Sequence, residues 1–156
     1  MANKVIEEAP DPIIVVLKGP PGAGKTTWAK NYVKEKKDWL RVNRDELRRM
    51  SGDYWMPHRE QIITLAEITM IEEGLRRGFN IIIDDTNLNP KTMEKWDEIA
   101  SKFGCKLKVK EFIVPYKEAL ERDRNREFPV GDDTVRIFYK RYYPELLTAE
   151  EMRGND

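Results

Sequence analysis

Two hydrophobic patterns alternate along this chain. Short apolar runs are Ile13–Lys18, Trp39–Val42 and Phe79–Asp85, and a fourth strand-like stretch, Leu107–Val114, alternates at first with Lys108 and Lys110. Such a run predicts a parallel strand covered on both faces. Between them lie segments whose apolar residues recur every three or four positions, which predicts helices. The first runs from about Gly24 to Lys36, with Trp28, Ala29, Tyr32 and Val33 at helical spacing. The next is Asn43 to Met50, with Asn43 as N-cap and Asp45 and Glu46 in the first turn. A long helix is predicted from about Arg59 to Arg77, with Ile62, Ala66, Met70 and Gly74 in one inward row. Asn89 followed by Pro90 starts another, with Met93, Trp96, Ala100 and Phe103 on one side and a stop at Gly104. Helices from about Tyr116 to Arg124 and Asp133 to Tyr143 close the chain, the last with Val135, Phe138 and Tyr142 inward.

Strand–helix alternation predicts an α/β fold, a parallel sheet of about four strands with helices on both faces. Residues 1–156 are expected to form a single domain, with a polar arm over 1–12 and a frayed, charged C-terminus over 148–156.

Charge adds little to this picture. Lys and Arg number 28 and Asp and Glu 28, so net charge does not advertise a polyanion partner, and any such site must be a local basic patch. Lys108, Lys110, Arg136, Lys140 and Arg141 form either such a patch or a solubilising surface. Cys105 alone cannot form an internal disulfide and is expected as a buried, inert thiol. The N-terminus has no apolar signal segment, and no run is long enough to cross a membrane. The expectation is a soluble cytoplasmic protein. His58 at a helix start reads as a surface residue, and no Cys/His metal cluster is available.

Chemistry enters at Gly19-Pro20-Pro21-Gly22-Ala23-Gly24-Lys25-Thr26, which fits the phosphate-binding P-loop pattern G-x-x-x-x-G-K-[ST]. It lies between a predicted strand and a predicted helix, the context that pattern needs. The glycines let successive N–H groups point at phosphate oxygens, and the helix N-terminus adds a favourable dipole. Gly22, Ala23, Gly24, Lys25, Thr26 and Thr27 are therefore the expected triphosphate site, with Lys25 toward the β/γ-phosphates and the Thr26 hydroxyl on Mg²⁺.

The γ-phosphate can go to water or to a hydroxyl. The third strand ends Asp84-Asp85-Thr86, without the strand-end Glu that positions water in switch ATPases. Transfer to a hydroxyl needs a carboxylate within reach of its proton. Asp45 fits, with Arg48 at i+3 on the same face, although the pair is also what an ordinary helix start would show. Asp84 or Asp85 is expected near Mg²⁺. Arg122 and Arg126 share a helix face before the break Phe128-Pro129-Val130-Gly131, so they are either lid arginines that clamp phosphates or a solvated face. Tyr54, Trp55, Tyr139 and Tyr143 are open candidates for base stacking.

Three segments after the P-loop carry a resemblance: Asn43-Arg44-Asp45-Glu46-Leu47-Arg48, Asp85-Thr86-Asn87-Leu88-Asn89-Pro90 and Val114-Pro115-Tyr116. In this order the chain resembles, from about Ile13 to Tyr143, the kinase domain of the bacteriophage T4 polynucleotide kinase family. The resemblance implies a P-loop kinase-like fold with a helical lid and transfer of the ATP γ-phosphate, with Mg²⁺, to the 5′-hydroxyl of DNA or RNA. It implies single-stranded or end-frayed substrates. It makes Asp45 the general base, Arg48 the contact to the acceptor-side phosphate, and Asp85 the acid of the D-T-N segment, beside Thr26 at the metal. It makes Arg126 the transition-state arginine and Arg122 a second lid arginine. The phage-type phosphatase signature D-x-D-x-T is not matched by Asp132-Asp133-Thr134, so no 3′-phosphatase activity is expected. The residues alone leave two alternatives, a P-loop kinase of a nucleoside or small hydroxyl metabolite, and an ATP-binding or ATPase module without transfer.

Overall fold

The computed structural model describes residues 11–52 and 55–154. The expected N-terminal arm, except Asp11 and Pro12, and Tyr54 lie outside these residues. Four strands, β1 (Ile13–Lys18), β2 (Trp39–Val42), β3 (Asn80–Asp84) and β4 (Lys106–Glu111), form one parallel sheet in the order β2-β3-β1-β4. The helices are α1 (Lys25–Val33), α2 (Arg44–Met50), α3 (Glu60–Arg76), α4 (Pro90–Phe103), α5 (Tyr116–Arg124), α6 (Asp132–Tyr142) and α7 (Ala149–Arg153).

The central strands β1 and β3 explain their apolar runs, because both faces are covered. Ile14, Val16, Ile81 and Ile83 pack with Ile71 and Leu75 of α3 and Trp96, Ile99 and Ala100 of α4. On the opposite face Leu17 and Ile82 pack with Ala29 of α1, bordered by Trp28, Tyr32 and Trp39. The period of two along each strand divides these sets. Burying one such side chain contributes about 1.5–3 kcal/mol. The third cluster belongs to the lid: Leu88, Ala119, Val135, Tyr139 and Tyr143 join α5 to α6.

In α3 the inward face differs from expectation. Ile63, Glu67, Ile71, Gly74 and Leu75 are buried, whereas Ile62, Leu65 and Met70 are exposed. Two neighbouring rows of this helix are both rich in apolar residues. Of the expected row Gly74 alone is buried, against the sheet, where a Cβ would meet Ile81 Cδ1 at 2.8 Å and Leu40 Cδ1 at 2.9 Å. In α6, Tyr139 and Tyr143 are buried, with Phe138 and Tyr142 packed at the margin of that cluster. The Tyr139 hydroxyl donates to Val114 O (2.6 Å) and that of Tyr143 to Glu111 Oε1 (3.1 Å), so neither ring is available to a base. Cys105 is only half-buried, just before edge strand β4, and His58 is exposed.

Of the segment expected to fray, Ala149–Arg153 is helical, and residues 155–156 lie outside the described residues. Thr148 and Glu151 form a reciprocal capping box that starts α7 (Thr148 N to Glu151 Oε1 2.9 Å, Glu151 N to Thr148 Oγ1 3.1 Å). The charges there satisfy a helix end. Among the described residues no helix is long and apolar enough to cross a membrane.

Asn87 ties the functional edge of the sheet together. It is buried, with φ 50°, a left-handed conformation that Asn tolerates better than most residues. Its amide donates to Leu17 O (2.6 Å) and Ile83 O (3.3 Å), and its Oδ1 accepts from Trp96 Nε1 (2.8 Å). One side chain thus joins the ends of β1 and β3 to α4. Asn87→Ala leaves a buried indole N–H and two carbonyls without it, and urea denaturation should show a loss of about 2–4 kcal/mol. Asn87→Gly, which keeps the φ, should lose nearly as much; near-wild-type stability for either variant would contradict this role.

Candidate phosphate-transfer site

The P-loop curls at the carboxyl end of β1, and α1 begins at Lys25. Gly22 has φ 80°, and a Cβ there would collide with the carbonyl oxygen of Ala119 in α5. A side chain would therefore strain the turn and push away the lid. Gly19 N donates to Thr86 O (3.0 Å), which fastens the loop to the segment after β3. Gly22, Ala23 and Gly24 make the turn, and Thr27 stands exposed in the first turn of α1.

The Lys25 side chain folds over this loop. Nζ donates to Gly19 O (2.8 Å) and Pro20 O (2.6 Å). Burial brings its pKa down from 10.5 to about 8, against the pull of Asp84, and Arg126 pushes the same way as burial. Asp85 and Asp45 also act on this ammonium. Lys25 is thus within electrostatic reach of the strand-end acids, the candidate base and a lid arginine together.

Asp84 is the acid that meets the P-loop. Thr26 Oγ1 donates to its Oδ2 at 2.9 Å. Arg41 of β2 donates to the same oxygen through Nε (2.8 Å), and Asn43 Nδ2 donates to its backbone carbonyl (2.5 Å). Asp84 Oδ1 is buried with no hydrogen-bond partner among the described residues. Mg²⁺ is usually held by one or two carboxylates together with phosphate oxygens and water. The Thr26 hydroxyl and the unpartnered Asp84 oxygen fit that demand. Among the described residues no cluster of three or more His, Cys, Asp or Glu offers a cage made by protein alone.

Asp85, expected beside Thr26, faces elsewhere. It follows the last strand residue, and its Oδ1 accepts from Arg44 N (2.9 Å) at the start of α2. Burial pushes its carboxyl well above the usual range, and a hydrogen bond with the carboxyl of Glu67 adds to the shift. Glu67 is fully buried and takes Arg44 Nη1 at 3.2 Å. Arg44 holds both acids, through its backbone N–H to Asp85 and its guanidinium to Glu67, and one oxygen of each, Asp85 Oδ2 and Glu67 Oε2, is buried without a hydrogen-bond partner among the described residues.

On α2, Asp45 Oδ1 accepts from Arg48 Nη1 at 2.8 Å. Glu60 of α3 grips Arg48 through Nε (3.0 Å) and Nη2 (2.6 Å). The Arg48 hydrogen bond holds the Glu60 carboxyl below its ordinary range. The i,i+3 pairing expected from the sequence is present, and Glu60 fixes the arginine fork that orients Asp45.

Of the arginines around α5, Arg122 meets the phosphate loop. Arg122 Nη1 reaches Ala23 O at 3.4 Å and would lie 3.2 Å from a Cβ on Gly24. Its Nη2 donates to Glu118 at 2.6 Å. Arg126 pairs with Asp123 (3.4 Å). Asp123 is fully buried and accepts the N–H groups of Val130 (3.0 Å) and Gly131 (2.9 Å), folding the loop back on α5. Arg124, by contrast, pairs with Asp132 on the outside.

Between these parts opens a cleft of about 470 Å³. Its walls carry Pro21 of the P-loop, Asp45 and Arg48 of α2, Lys95 of α4 and Phe138 of the lid. Asp45 and Arg48 thus share one cleft with Pro21 of the phosphate loop, and Arg122 lies against that loop at Ala23 O. Four supporting residues escaped sequence reading. Glu67 could have been found as the one acid in the row Ile63, Glu67, Ile71, Leu75. Arg41 is the lone charge in its strand. Asp123 is an acid amid lid arginines. Glu60 had no signal.

A P-loop at the sheet edge, a strand-end acid on its threonine and a basic lid define a nucleotide-binding domain of the P-loop kinase class. The chain belongs to the AAA domain family (AAA_33), which matches residues 14–141. A protein of Autographa californica nuclear polyhedrosis virus, assigned as a bifunctional polynucleotide kinase/RNA ligase, is 28% identical over 146 residues, covering 83% of this chain and 20% of that protein. The L-seryl-tRNA(Sec) kinase of Methanococcus maripaludis is 24% identical over 133 residues, covering 83% of this chain and 52% of that one. The chain thus spans about a fifth and a half of these relatives' lengths. Among solved structures, a chain of the Pnkp1/Rnl/Hen1 complex matches with TM-score 0.67 and 30% identity over 75% of this chain and 40% of its own. The Mycobacterium tuberculosis APS kinase CysC, in complex with AMPPNP and APS, shares the fold (TM-score 0.59, 14% identity, 75% and 71% covered).

The buried Lys25 sets a stability prediction. Its pKa lies below the unfolded value, so between about 8 and 10.5 the unfolded chain holds a proton that the folded chain has lost. Nucleotide-free stability should rise with pH across that window. Below it, the charge costs roughly 3 kcal/mol. Lys25→Met should therefore raise the nucleotide-free melting temperature at pH 7 by about 2–4 °C or more and flatten its rise above pH 8. A lower melting temperature with an unchanged pH profile would contradict this.

Proposed function

We propose that this domain is a 5′-hydroxyl polynucleotide kinase that transfers the ATP γ-phosphate to the 5′-end of DNA or RNA. The observation that carries the reading is the shared cleft, in which Asp45 and Arg48 stand on one wall and the P-loop on another, with Lys25 within electrostatic reach of Asp45. The resemblance over Asn43–Arg48 and Asp85–Pro90, and the relatives assigned to polynucleotide kinase, support this acceptor.

In the transfer the 5′-oxygen bonds to the γ-phosphorus, the bond from that phosphorus to the β,γ-bridging oxygen breaks, and ADP leaves. Asp45 accepts the hydroxyl proton, with Arg48 and Glu60 holding its rotamer. Lys25 releases the loop carbonyls and donates to β/γ-phosphate oxygens, with the loop N–H groups behind it. Arg122 and Arg126 close on the charge that spreads over the transferring group, Asp123 keeping Arg126 in range. Thr26 and Asp84 would hold Mg²⁺, which would supply positive charge to neutralise the phosphates during transfer. Asp85 holds the start of α2 through Arg44 N and with it the position of Asp45.

The test uses γ-labelled ATP, Mg²⁺ and a 5′-OH oligonucleotide. Wild type should label the 5′-end. Asp45→Asn should lower kcat by about 10²–10⁴, and Arg126→Ala by about 10³ or more, with ATP binding retained in Asp45→Asn. No label from wild type would overturn the acceptor assignment, and equal rates on a free nucleoside would shift it to a small metabolite. Asp45→Asn at wild-type rate would overturn the base.

A further inference from the structure

Arg41 is the one charge in β2, and its side chain turns inward, only 10% exposed. Nε donates to Asp84 Oδ2 at 2.8 Å, and Nη2 lies 2.8 Å from an oxygen of the same carboxylate, again Oδ2. Nη1 donates to Glu46 Oε1 of α2 at 2.8 Å, and the Lys30 ammonium of α1 stands 3.5 Å from that oxygen. The planar fork is thus held at both ends, by the strand-end acid and by the first turn of α2.

Asp84 Oδ2 also accepts the Thr26 hydroxyl, at 2.9 Å. Its acceptor capacity is taken up, whereas Oδ1 of the same carboxylate is buried with no partner among the described residues. Asp84 therefore offers a cation one oxygen and withholds the other. That difference separates Mg²⁺ from Ca²⁺. Mg²⁺ is small and demands near-octahedral geometry, which a single carboxylate oxygen suits. Ca²⁺ takes more oxygens in looser geometry and accepts both oxygens of one carboxylate.

We propose that Arg41 is a positioning residue that determines metal specificity: by occupying Asp84 Oδ2 it confines the strand-end acid to one-oxygen coordination and makes the nucleotide site select Mg²⁺ over Ca²⁺. This rests on the placement of Thr26 and Asp84 at the metal, and not on the identity of the acceptor. Arg41 acts through Asp84, and Glu46 with Lys30 behind it keeps the fork aimed. Removing the guanidinium charge strengthens the attraction for either ion, because both carry the same charge. The ratio of the two affinities therefore isolates the number of oxygens that Asp84 presents.

The experiment measures the Mg²⁺ and Ca²⁺ affinities of the ADP-bound protein by isothermal titration, where no transfer takes place. It compares wild type, Arg41→Met, Arg41→Gln and Arg41→Lys, with circular dichroism to confirm folding. Wild type should bind Mg²⁺ more tightly than Ca²⁺. Arg41→Met should move the ratio of affinities toward Ca²⁺ by about tenfold. Arg41→Gln, whose amide still donates to Asp84 and so protects folding, should move it the same way by about threefold. Arg41→Lys, which keeps a cation on Oδ2, should stay near the wild-type ratio. If Arg41→Met does not fold, Arg41→Gln decides. A wild-type ratio in the folded uncharged variants, even with both affinities changed, would overturn the Arg41 assignment and leave the metal site standing. ADP binding by wild type that gains nothing from Mg²⁺ would overturn the Thr26–Asp84 site as well, while 5′-end labelling tests the acceptor separately.

Discussion

The carboxylate of Asp84, at the end of β3, is the contact on which the site depends. It takes the Thr26 hydroxyl from the P-loop and the Arg41 guanidinium from β2, while its backbone carbonyl takes Asn43, the N-cap of α2. One residue thus sets the donor loop against the helix that carries Asp45. The next residue, Asp85, repeats the link through Arg44 N. Parallel topology makes this possible, because β1, β2 and β3 all end on the same edge.

The arrangement runs against stability. Lys25, Glu67, Asp84 and Asp123 are all buried, where charge is costly unless paired. Each has found a partner: loop carbonyls for Lys25, Arg44 for Glu67, Arg41 for Asp84, and two loop amides with Arg126 for Asp123. The apolar clusters on both faces of the sheet provide the rigidity that keeps these groups apart from water and in register. The lid has its own small core, so Arg122 and Arg126 ride on a packed unit.

Much of this was legible in the chain. Apolar runs identified β1, β2 and β3, alternation identified β4, and the P-loop, the Asn43 cap and the Asn89–Pro90 start were read from local rules. What stayed hidden depends on tertiary packing. Which of Asp84 and Asp85 meets Thr26 follows from the register that pairs Leu17 with Asp84, and no single-strand pattern contains that register. The inward row of α3 was misread because Glu67 interrupts it, and only the buried Arg44 and Asp85 explain an acid there. Tyr139 and Tyr143 stayed open candidates for base stacking, because only the packing of α6 on α5 buries them. The Thr148–Glu151 capping box was readable but lay in a segment whose charge suggested fraying.

The central claim is that donor and acceptor meet between the P-loop and α2. A crystal structure with a non-hydrolysable ATP analogue, Mg²⁺ and a 5′-OH oligonucleotide tests it most directly. The account predicts the 5′-oxygen within about 2.6–3.2 Å of an Asp45 carboxylate oxygen, in line with the γ-phosphate, with Lys25 and Arg126 on that phosphate. A 5′-end bound outside the cleft, or an acid other than Asp45 on the 5′-oxygen, would contradict it.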